Sequence, residues 1–499
     1  MSVSAPPFRP LGPADRAAVL EAIGGLGVPV ARLVIDSRQL QAGDTFLAYP
    51  GEHADGRDFI AQAIARGANA VIWDSRGFAW DPLWTVPNVG IADLRARAGF
   101  IAAQVYGDPS ARLWMIGVTG TNGKTSCAHW LAQALGQAGR RTAVLGTLGN
   151  GFPAALVAAT HTTPEAVALQ RELRRLEEAG AQAVAMEVSS HALAQGRVHG
   201  VAFDVAILTN LSRDHLDYHG DMASYARAKA GLFQWETLKA AVLNADDPFG
   251  RELRDRIAAG VKVLNYGFGE GEVQGRLVRM GPEGIAMEVI TPWGRGLLES
   301  RLLGRFNAAN LLATAAGCLA SDMPFDQVLE TLARITPVPG RMQCLGGGDR
   351  PLVVVDYAHT PDALEKVLEA LRGVMPGDAR LIALFGCGGE RDRGKRPLMG
   401  AVASRLADEV VVTNDNPRHE APGDIIADIL AGLQGNHRVI ADRAEAILYA
   451  IERARPADIV LLAGKGHEPY QDIAGTRWPF SDLDVAARVL DNRRNQEPT

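Results

Sequence analysis

The stretch Gly117-Val118-Thr119-Gly120-Thr121-Asn122-Gly123-Lys124-Thr125-Ser126 decides how the middle of this chain folds. A short apolar run, Leu113 to Val118, precedes it, and a segment with helical spacing, Cys127 to Ala138, follows it. A strand that turns through glycines into a helix gathers backbone N–H groups and a positive helix terminus around one point, which suits a polyphosphate. Lys124 can reach the terminal phosphates, and the Thr125 hydroxyl can ligate Mg²⁺. The stretch predicts a site for ATP or a close relative, formed by Gly120, Thr121, Asn122, Gly123, Lys124, Thr125 and Ser126.

The glycine spacing differs from the common phosphate-loop pattern, because Val118 stands five positions before Gly123. The sequence Gly-Lys-Thr by itself is as compatible with an ordinary glycine turn as with a phosphate-binding loop. The preceding strand and the Thr-Gly-Thr-Asn lead-in favour the phosphate loop.

Length and composition predict a globular protein of about three domains. The chain has 499 residues, 47% of them hydrophobic and 22% charged, and a formal net charge of −6 with both signs interspersed, which argues against a nucleic-acid partner. Its four cysteines are far apart, which suggests neither a disulfide framework nor a zinc cluster. Met1 to Pro13 lacks the apolar core of a signal peptide, and no apolar run approaches the ~18 residues of a membrane span. We therefore expect a cytoplasmic protein without a membrane span.

Short apolar runs alternate with helical stretches between residues 99 and 335, a pattern typical of a doubly wound, mostly parallel sheet. Polar clusters follow three of these runs, at His161–Glu165, Glu187–His191 and Asn210–His219. Ligands of such sheets bind beyond the carboxyl ends of the strands. The pattern predicts a central ATP-binding α/β domain over residues 99–335.

The flanking segments predict two further α/β domains. Residues 1–98 are expected to form a small domain, with a strand in Arg32–Arg38 that ends in a polar tip and a polar loop at Pro50–Arg57. Both polar segments are either turn chemistry or a ligand site. Residues 336–499 form a Rossmann-like domain, with polar strand ends at Asp356–Pro361, Gly386–Asp392 and Asn414–Arg418.

Several candidate residues have a structural alternative. Glu187 is a candidate Mg²⁺ ligand or a helix-capping partner, and His215 is a metal ligand or a hydrogen-bonded turn residue. Lys229, in an alanine-rich helix, is typical of a solvated surface lysine, whereas Arg391 and Arg418 either clamp a carboxylate or form surface ion pairs. The residues themselves leave open phosphoryl transfer, ATP-driven ligation and ATP-gated binding.

Motifs along nearly the whole chain together resemble those of the Mur ligases of peptidoglycan synthesis. They are Gly120–Thr125, Glu187–His191, Asn210 with Asp214–Asp217, Phe306–Asn307 and Gly340–Arg341. The resemblance implies an ATP-dependent acid–amino-acid ligase that works through an acyl phosphate, with roles in cell-wall biogenesis, cell shape, the cell cycle and division. A kinase or a non-catalytic ATP-binding regulator is the rival class.

Within the family, Asp356–Pro361 and Phe385–Gly389 resemble the enzymes that add the third peptide residue. Asp415–Arg418 matches the motif Asp-Asn-Pro-Arg, which in those enzymes marks meso-diaminopimelate as the added amino acid. The implied acceptor is the D-glutamyl γ-carboxylate of UDP-N-acetylmuramoyl-L-alanyl-D-glutamate. A lysine-adding ligase and folylpolyglutamate synthetase are the alternatives inside the family.

The resemblance also implies roles for individual residues. Lys124, Lys229 and His215 would be catalytic, and two Mg²⁺ would bind Thr125, Glu187, His215 and Lys229, the last as a carbamate. Asn307 and Arg341 would contact ATP. The nucleotide-sugar peptide would contact Ile35, Ser37, Glu52, His53, Ala54, His161, Thr162, Thr163, Ser189, Gln195 and Arg197, of which His161 replaces a frequent Asn. The amino acid would contact Arg391, Asp415, Asn416, Pro417, Arg418, Gly464 and Glu468. We expect a monomer with small-molecule substrates.

Overall fold

The computed structural model describes residues 12–52, 54–281, 283–375 and 377–494. The chain divides into two compact units. Unit 1 comprises Met1–Gln274 and Ala313–Thr331, and unit 2 comprises Gly275–Leu312 and Leu332–Thr499. The predicted domain boundaries near residues 98 and 335 stay predictions. No helix in the described ranges has both the length and the apolar character needed to cross a membrane.

Unit 1 begins with a parallel sheet of order β1-β2-β3-β4. Its strands are β1 Leu33–Val34, β2 Thr45–Ala48, β3 Ala70–Asp74 and β4 Asn88–Ile91, and its helices are α1 Pro13–Gly24, α2 Ile60–Ala65 and α3 Leu94–Val105. Within the predicted segment Arg32–Arg38, the strand is confirmed only at Leu33–Val34, and the polar tip forms a turn. The Asp36 carboxylate accepts a hydrogen bond from the Arg38 backbone N–H at 3.0 Å and starts a 3₁₀ turn over Ser37–Gln39, so the chain leaves the sheet.

The second sheet of unit 1 has the order β12-β11-β10-β5-β9-β6-β7-β8 and is parallel except at β6-β7-β8. The strands are β5 Trp114–Thr119, β6 Thr142–Gly146, β7 Gly149–Phe152, β8 Ala155–Val157, β9 Ala183–Glu187, β10 Val205–Leu208, β11 Ala240–Asn244 and β12 Lys262–Gly267. The helices are α4 Lys124–Gln137, α5 Ala166–Glu178, α6 Ser190–Ala194, α7 Leu216–His219, α8 Met222–Ala230 and α9 Pro248–Arg254. The predicted doubly wound, mostly parallel sheet is confirmed.

Strand register positions the phosphate loop among the polar clusters. Val118 on β5 pairs with Glu187 on β9, and Thr119 pairs with Leu208 on β10. The carboxyl ends of these three strands therefore meet at one edge of the sheet, where a doubly wound fold binds its ligand. Buried side chains such as Met186, Phe203 and Leu232 form the core beneath that edge.

Three further strands are β13 Val273–Gly281, β14 Gly284–Thr291 and β15 Gly294–Ser300. Strand β13 and the helices α10 Arg305–Ala320 and α11 Phe325–Ala333 cross the division between the units. A sheet of order β16-β17-β21-β18-β19-β20 follows, parallel except for β16, which confirms the Rossmann-like prediction. Its strands are β16 Gln343–Gly346, β17 Leu352–Asp356, β18 Leu381–Phe385, β19 Glu409–Val412, β20 His437–Val439 and β21 Ile459–Ala463. Its helices are α12 Pro361–Arg372, α13 Lys395–Leu406, α14 Pro422–Leu430, α15 Arg443–Arg453 and α16 Asp482–Arg494, with a hairpin of β22 Tyr470–Ile473 and β23 Thr476–Pro479.

Candidate active site

The loop between β5 and α4 has the shape that the sequence predicts. Gly120 has φ +147°, and a Cβ there would lie 1.9 Å from Thr209 Oγ1, so only glycine fits. The Thr209 hydroxyl donates to the Asn122 carbonyl at 2.6 Å, and the Asn122 N–H donates to Asn210 Oδ1 at 3.0 Å. Residues at the end of β10 thus fix the loop in front of the first turn of α4.

Two lysines converge on this loop. Lys124 Nζ donates to the carbonyls of Gly120 and Thr121, both at 2.9 Å, and Lys229 Nζ donates to the Gly120 carbonyl at 2.8 Å. Lys229 is only 1% exposed, so its interpretation as a surface lysine is wrong. Burial, and next the like charge of Lys124, holds the pKa of Lys229 well below its ordinary value. Lys229 is therefore a buried amine that readily loses its proton.

Glu187 lies beside the loop at the end of β9. Its Oε2 accepts a hydrogen bond from the Thr125 hydroxyl at 2.9 Å, and its Oε1 accepts one from the Thr147 backbone N–H at 2.8 Å. The cap of helix α6 is Ser189, whose hydroxyl oxygen accepts from the Ala192 N–H at 3.1 Å, so the capping alternative for Glu187 is wrong. The hydroxyl and carboxylate oxygens of Thr125 and Glu187 are hard donors of the kind that Mg²⁺ prefers.

His215 occupies a turn. It has φ +53°, its Nε2 lies 3.4 Å from Asp214 Oδ2, and its ring lies 4.8 Å from that of His191. No three His, Cys, Asp or Glu side chains among the described residues are grouped to hold a metal ion. Of the residues predicted to bind metal, only Glu187 and His215 are of these four types. Metal binding by the predicted set therefore stays a prediction.

Four of the predicted dipeptide contacts surround Glu187. The Thr163 hydroxyl donates to the Glu187 carbonyl at 2.8 Å and accepts from the Ser189 N–H at 3.1 Å. Arg197 Nη1 donates to the Thr163 carbonyl at 3.2 Å. The Thr162 hydroxyl lies 3.1 Å from that of Thr147. These side chains form one polar edge next to the phosphate loop.

Glu52 and Gln195, predicted for different parts of the same substrate, are hydrogen-bonded to each other. The Tyr218 hydroxyl joins them, accepting from Gln195 Nε2 at 3.2 Å and donating to Glu52 Oε1 at 3.4 Å. The structure thus links the first sheet of unit 1 to the end of α6.

The remaining predicted substrate contacts of unit 1 lie elsewhere. Ser37 is buried and donates to Gln62 Oε1 at 2.7 Å, and Ile35 is half-buried. His161 is exposed and hydrogen-bonds Thr160 at 3.0 Å, and Ala54 offers its carbonyl to Gly51 at 2.8 Å. His53 lies outside the described residues.

In unit 2, two arginines flank Gly388. A Cβ on Gly388 would lie 3.1 Å from Arg418 Nη1 and 3.7 Å from Arg391 Cγ. Arg418 has φ +52°, and its Nη1 donates to the Gly389 carbonyl at 2.6 Å, while Pro417 beside it is buried. Arg418 brings a positively charged guanidinium to this edge and Arg391 adjoins it, as a carboxylate site needs.

Acidic and amide groups lie on the neighbouring loops of the same unit. Asn416 Nδ2 donates to Glu468 Oε2 at 2.8 Å. Gly464 has φ +112°, and a Cβ there would come within 3.0 Å of Asp415 Oδ2. Burial raises the pKa of Asp415, while Arg443 and Lys465 oppose that shift. The structure therefore brings Asp415, Asn416, Gly464 and Glu468 together.

The two other predicted ATP contacts also lie in unit 2. Asn307 is buried at the start of α10 and donates from Nδ2 to the Leu303 carbonyl at 2.9 Å. The Arg341 guanidinium stacks over the Tyr357 ring at 4.9 Å. Their contact with ATP stays a prediction.

Family profiles match three segments of the chain. The "Mur ligase family, catalytic domain" matches residues 29–106, the "Mur ligase middle domain" residues 118–318, and the "Mur ligase, glutamate ligase domain" residues 340–466.

The chain belongs to the Mur ligase family.

Relatives of this Mur ligase carry a specific activity in their names. A protein of Chromobacterium violaceum named "UDP-N-acetylmuramoyl-L-alanyl-D-glutamate--2,6-diaminopimelate ligase" is 52% identical, over 93% of this chain and 95% of its own. The ligase of the same name from Neisseria meningitidis serogroup A is 54% identical, over 92% and 94%. A solved structure of a ligase of that name has 37% identity and a TM-score of 0.70, covering 93% of this chain and 96% of its own.

Several residues of the Mur ligase site were not predicted from the sequence. Thr147 contacts Glu187, and Thr209 contacts Asn122. The hydroxyls of Tyr225 and Thr121 lie 3.1 Å apart. Thr147 and Thr209 directly follow strands β6 and β10, so their position at strand ends was a usable signal. Tyr225 carried no such signal, because it lies inside helix α8.

Proposed function

We propose that this Mur ligase is an ATP-dependent enzyme that joins meso-diaminopimelate to the D-glutamyl γ-carboxylate of UDP-N-acetylmuramoyl-L-alanyl-D-glutamate. The observation that carries the specificity is the loop Asp415–Arg418 in unit 2. Its Arg418 lies with Arg391 around Gly388, and its Asn416 bonds Glu468. The distal centre of diaminopimelate bears a carboxylate and an ammonium, which match a guanidinium pair and a glutamate. The names of the close relatives agree with this assignment.

The reaction takes place in two steps. An oxygen of the γ-carboxylate attacks the γ-phosphorus of ATP, ADP leaves, and an acyl phosphate forms. The neutral amine of diaminopimelate then attacks the acyl carbon, phosphate leaves, the nitrogen releases one proton and an amide forms. In the first step two anions approach each other, so the Lys124 ammonium and the N–H groups at the start of α4 supply the charge compensation.

Mg²⁺ would bind the oxygens of Thr125 and Glu187, and it would neutralise charge on the nucleotide phosphates. The hydrogen bond of 2.9 Å between these two side chains already brings their oxygens together. Thr147 orients Glu187 through its backbone N–H and its hydroxyl. His215 and Lys229, the latter as a carbamate, would complete the donor set for two ions.

Lys229 is suited to carry a carbamate. Its lowered pKa favours the neutral amine, which is the form that attacks the carbon of CO₂ and releases one proton. The product is an anionic oxygen ligand at a position where a charged ammonium is strongly disfavoured. NMR after exposure to ¹³C-bicarbonate should give a carbamate carbon signal that Lys229→Arg lacks. If the signal persists in that variant, Lys229 is not the modified residue.

The nucleotide-sugar peptide would bind across unit 1. Ile35, Ser37, Glu52, His53 and Ala54 would hold the uridine part. The peptide part would contact His161, Thr162, Thr163, Ser189, Gln195 and Arg197. The hydrogen bond between Glu52 and Gln195 supports one continuous site, because residues assigned to the two parts touch.

The test of the reaction type is the acyl phosphate. The protein is incubated with ATP, Mg²⁺ and UDP-N-acetylmuramoyl-L-alanyl-D-glutamate, without an amino acid and with hydroxylamine. A ligase yields the γ-hydroxamate of the dipeptide together with ADP and phosphate. A kinase, the rival, yields a phosphorylated product that hydroxylamine does not cleave, and this result would refute the proposal.

We further assign a monomeric state and a cytoplasmic location. Light scattering should give a mass near the 53.1 kDa of one chain, and a mass twice as large would contradict the monomer. Cell fractionation should recover the protein with the cytoplasmic nucleotide-sugar substrate, and recovery in another fraction would contradict the location.

A further inference from the structure

Lys465 is a lysine that the proposed reaction does not use. It follows β21 and Gly464, and its side chain is 0% exposed. Lysine is almost never fully buried unless it is paired, because an ammonium loses its hydration there. The partners of Lys465 therefore indicate what this residue does.

All three hydrogen-bond partners of Lys465 belong to the proposed diaminopimelate site. Its Nζ donates to Asn416 Oδ1 at 3.0 Å, to Glu468 Oε2 at 3.2 Å and to Asp415 Oδ1 at 3.4 Å. One ammonium thus connects the loop after β19 with the loop after β21. The ring of Tyr470 lies 5.6 Å from the same nitrogen.

The bonds fix how Glu468 is presented. Lys465 and Asn416 both donate to its Oε2, at 3.2 and 2.8 Å. Within the described ranges no donor is bonded to Oε1, the second oxygen of that carboxylate. Asn416 is fixed in turn, since its Oδ1 also accepts from the Asp472 N–H at 2.9 Å. The Glu468 carboxylate is held by one oxygen and can offer the other to a ligand.

The charges show why the lysine is needed. Asp415 and Glu468 bring two carboxylates to Lys465, and the second cation near Asp415, Arg443, is already paired with Asp482. These five groups together carry one more negative charge than positive charges. An ammonium of the substrate would balance this cluster. Without Lys465, only Arg443, which is paired with Asp482, would offset the two carboxylates, and the Glu468 carboxylate would lose the ammonium that holds its Oε2.

We propose that Lys465 is a positioning residue that holds Glu468 for the distal ammonium of the added diamino acid. This inference rests on the proposed function. It assigns the ammonium half of amino-acid recognition to the cluster Lys465–Asp415–Asn416–Glu468 and the carboxylate half to Arg391 and Arg418.

The test compares two substrates in two enzymes. The substrates are diaminopimelate and 2-aminopimelate, the analogue in which hydrogen replaces the distal ammonium. The enzymes are the unsubstituted chain and Lys465→Met, and kcat/KM for the amino acid is measured at saturating ATP and UDP-dipeptide. Because a hydrogen bond to a charged group changes binding by about 10- to 100-fold, the unsubstituted enzyme should prefer diaminopimelate by about that factor.

In Lys465→Met this preference should fall to about threefold or less, while the KM for ATP stays the same. A purely structural role would reduce kcat/KM for both substrates equally and leave the preference intact, which would overturn the inference. Lys366→Met, at an exposed lysine paired with Asp362, is the matched control and should keep the full preference. If Lys465→Met does not fold, Lys465→Gln replaces the ammonium by a neutral and shorter amide; it should also lower the preference, because the charge that fixes Glu468 is gone, and an undiminished preference would overturn the inference.

The two proposals fail in different ways. If the unsubstituted chain makes no product from diaminopimelate, the proposed function itself is wrong. If it makes product but a folded Lys465 variant keeps the full preference over 2-aminopimelate, only the inference about Lys465 is wrong.

Discussion

Replacing Arg418 by alanine should remove the discrimination between diaminopimelate and lysine. Lysine lacks the distal carboxylate, so it leaves the guanidinium of Arg418 without its partner. A charge-assisted pair of this kind contributes about 1.5–3 kcal/mol, which corresponds to a factor of about 10 to 150. The ratio of kcat/KM for diaminopimelate over lysine should fall by that factor in Arg418→Ala.

The structure also limits what the substitution does to stability. Arg418 has φ +52°, and alanine at that φ carries a similar backbone cost, so the strain is unchanged. The variant loses the hydrogen bond of 2.6 Å from Nη1 to the Gly389 carbonyl, which stabilises the fold by about 1 kcal/mol. The variant should therefore fold, and its kinetics will report on recognition.

The assay follows phosphate release and amide product with each amino acid over a range of concentrations. Arg418→Lys keeps a charge without the two-pronged geometry and should lose most of the discrimination as well. Arg405→Ala, at an exposed arginine that pairs with Glu365, is the control and should behave like the parent. An unchanged ratio in a folded Arg418→Ala would refute the carboxylate argument.

Three further predictions concern other parts of the fold. Gly120→Ala should abolish ATP binding and lower the free energy of unfolding by about 1–3 kcal/mol, because its Cβ would lie 1.9 Å from Thr209 Oγ1; nucleotide titration and denaturation measure both. Arg443→Met should lower the free energy of unfolding by about 3–5 kcal/mol, because it leaves the fully buried Asp482 carboxylate without its 2.7 Å partner. Burial, and next the charge of Arg341, lowers the pKa of His467 to about 4. As the pH falls from 6.5 toward 4, the unfolded chain therefore binds a proton on this side chain before the folded chain does, and the free energy of unfolding decreases. In urea denaturation, His467→Gln should remove up to about 3 kcal/mol of that decrease.

Each of these predictions has a control and a contradicting result. Gly136→Ala, in helix α4 with nothing within 4 Å of its Cβ, should leave ATP binding intact, and equal loss in both variants would refute the argument from Gly120. Arg295→Met breaks an exposed pair with Glu288 and should leave the free energy of unfolding nearly unchanged, so an equally small effect of Arg443→Met would show that burial does not matter there. An unchanged pH dependence in His467→Gln would show that this histidine keeps an ordinary pKa in the fold.

Much of the fold could be predicted because its signals are local. The short apolar runs between residues 99 and 335 predicted a mostly parallel sheet, and β10 Val205–Leu208 and β11 Ala240–Asn244 are two of its strands. The strand in Arg32–Arg38 is shorter than predicted because the Asp36 carboxylate takes the hydrogen bond of the Arg38 backbone N–H. The apolar pattern of the segment does not reveal this competition. Glu187 could be expected near the phosphate loop because the carboxyl ends of parallel strands meet at one edge of the sheet. The observed pairing of Val118 with Glu187 brings it there.

The candidate site was less predictable where it depends on burial. Helix α8 gave no sign that Lys229 is buried, because its surroundings are alanines and its contact, the Gly120 carbonyl, lies over 100 residues away. Lys465 was missed for a related reason: its three partners become neighbours only when the loops after β19 and β21 meet. Such long-range pairs are set by topology, which composition and periodicity do not encode.

The central claim is tested most directly by product analysis with two amino acids. The purified protein is given ATP, Mg²⁺ and UDP-N-acetylmuramoyl-L-alanyl-D-glutamate, with either meso-diaminopimelate or L-lysine, and phosphate and tripeptide are measured. The account predicts stoichiometric phosphate and tripeptide with diaminopimelate and at least about tenfold less with lysine. Tripeptide formed with lysine as readily as with diaminopimelate would contradict the role of Arg418, and no tripeptide with either would contradict the ligase.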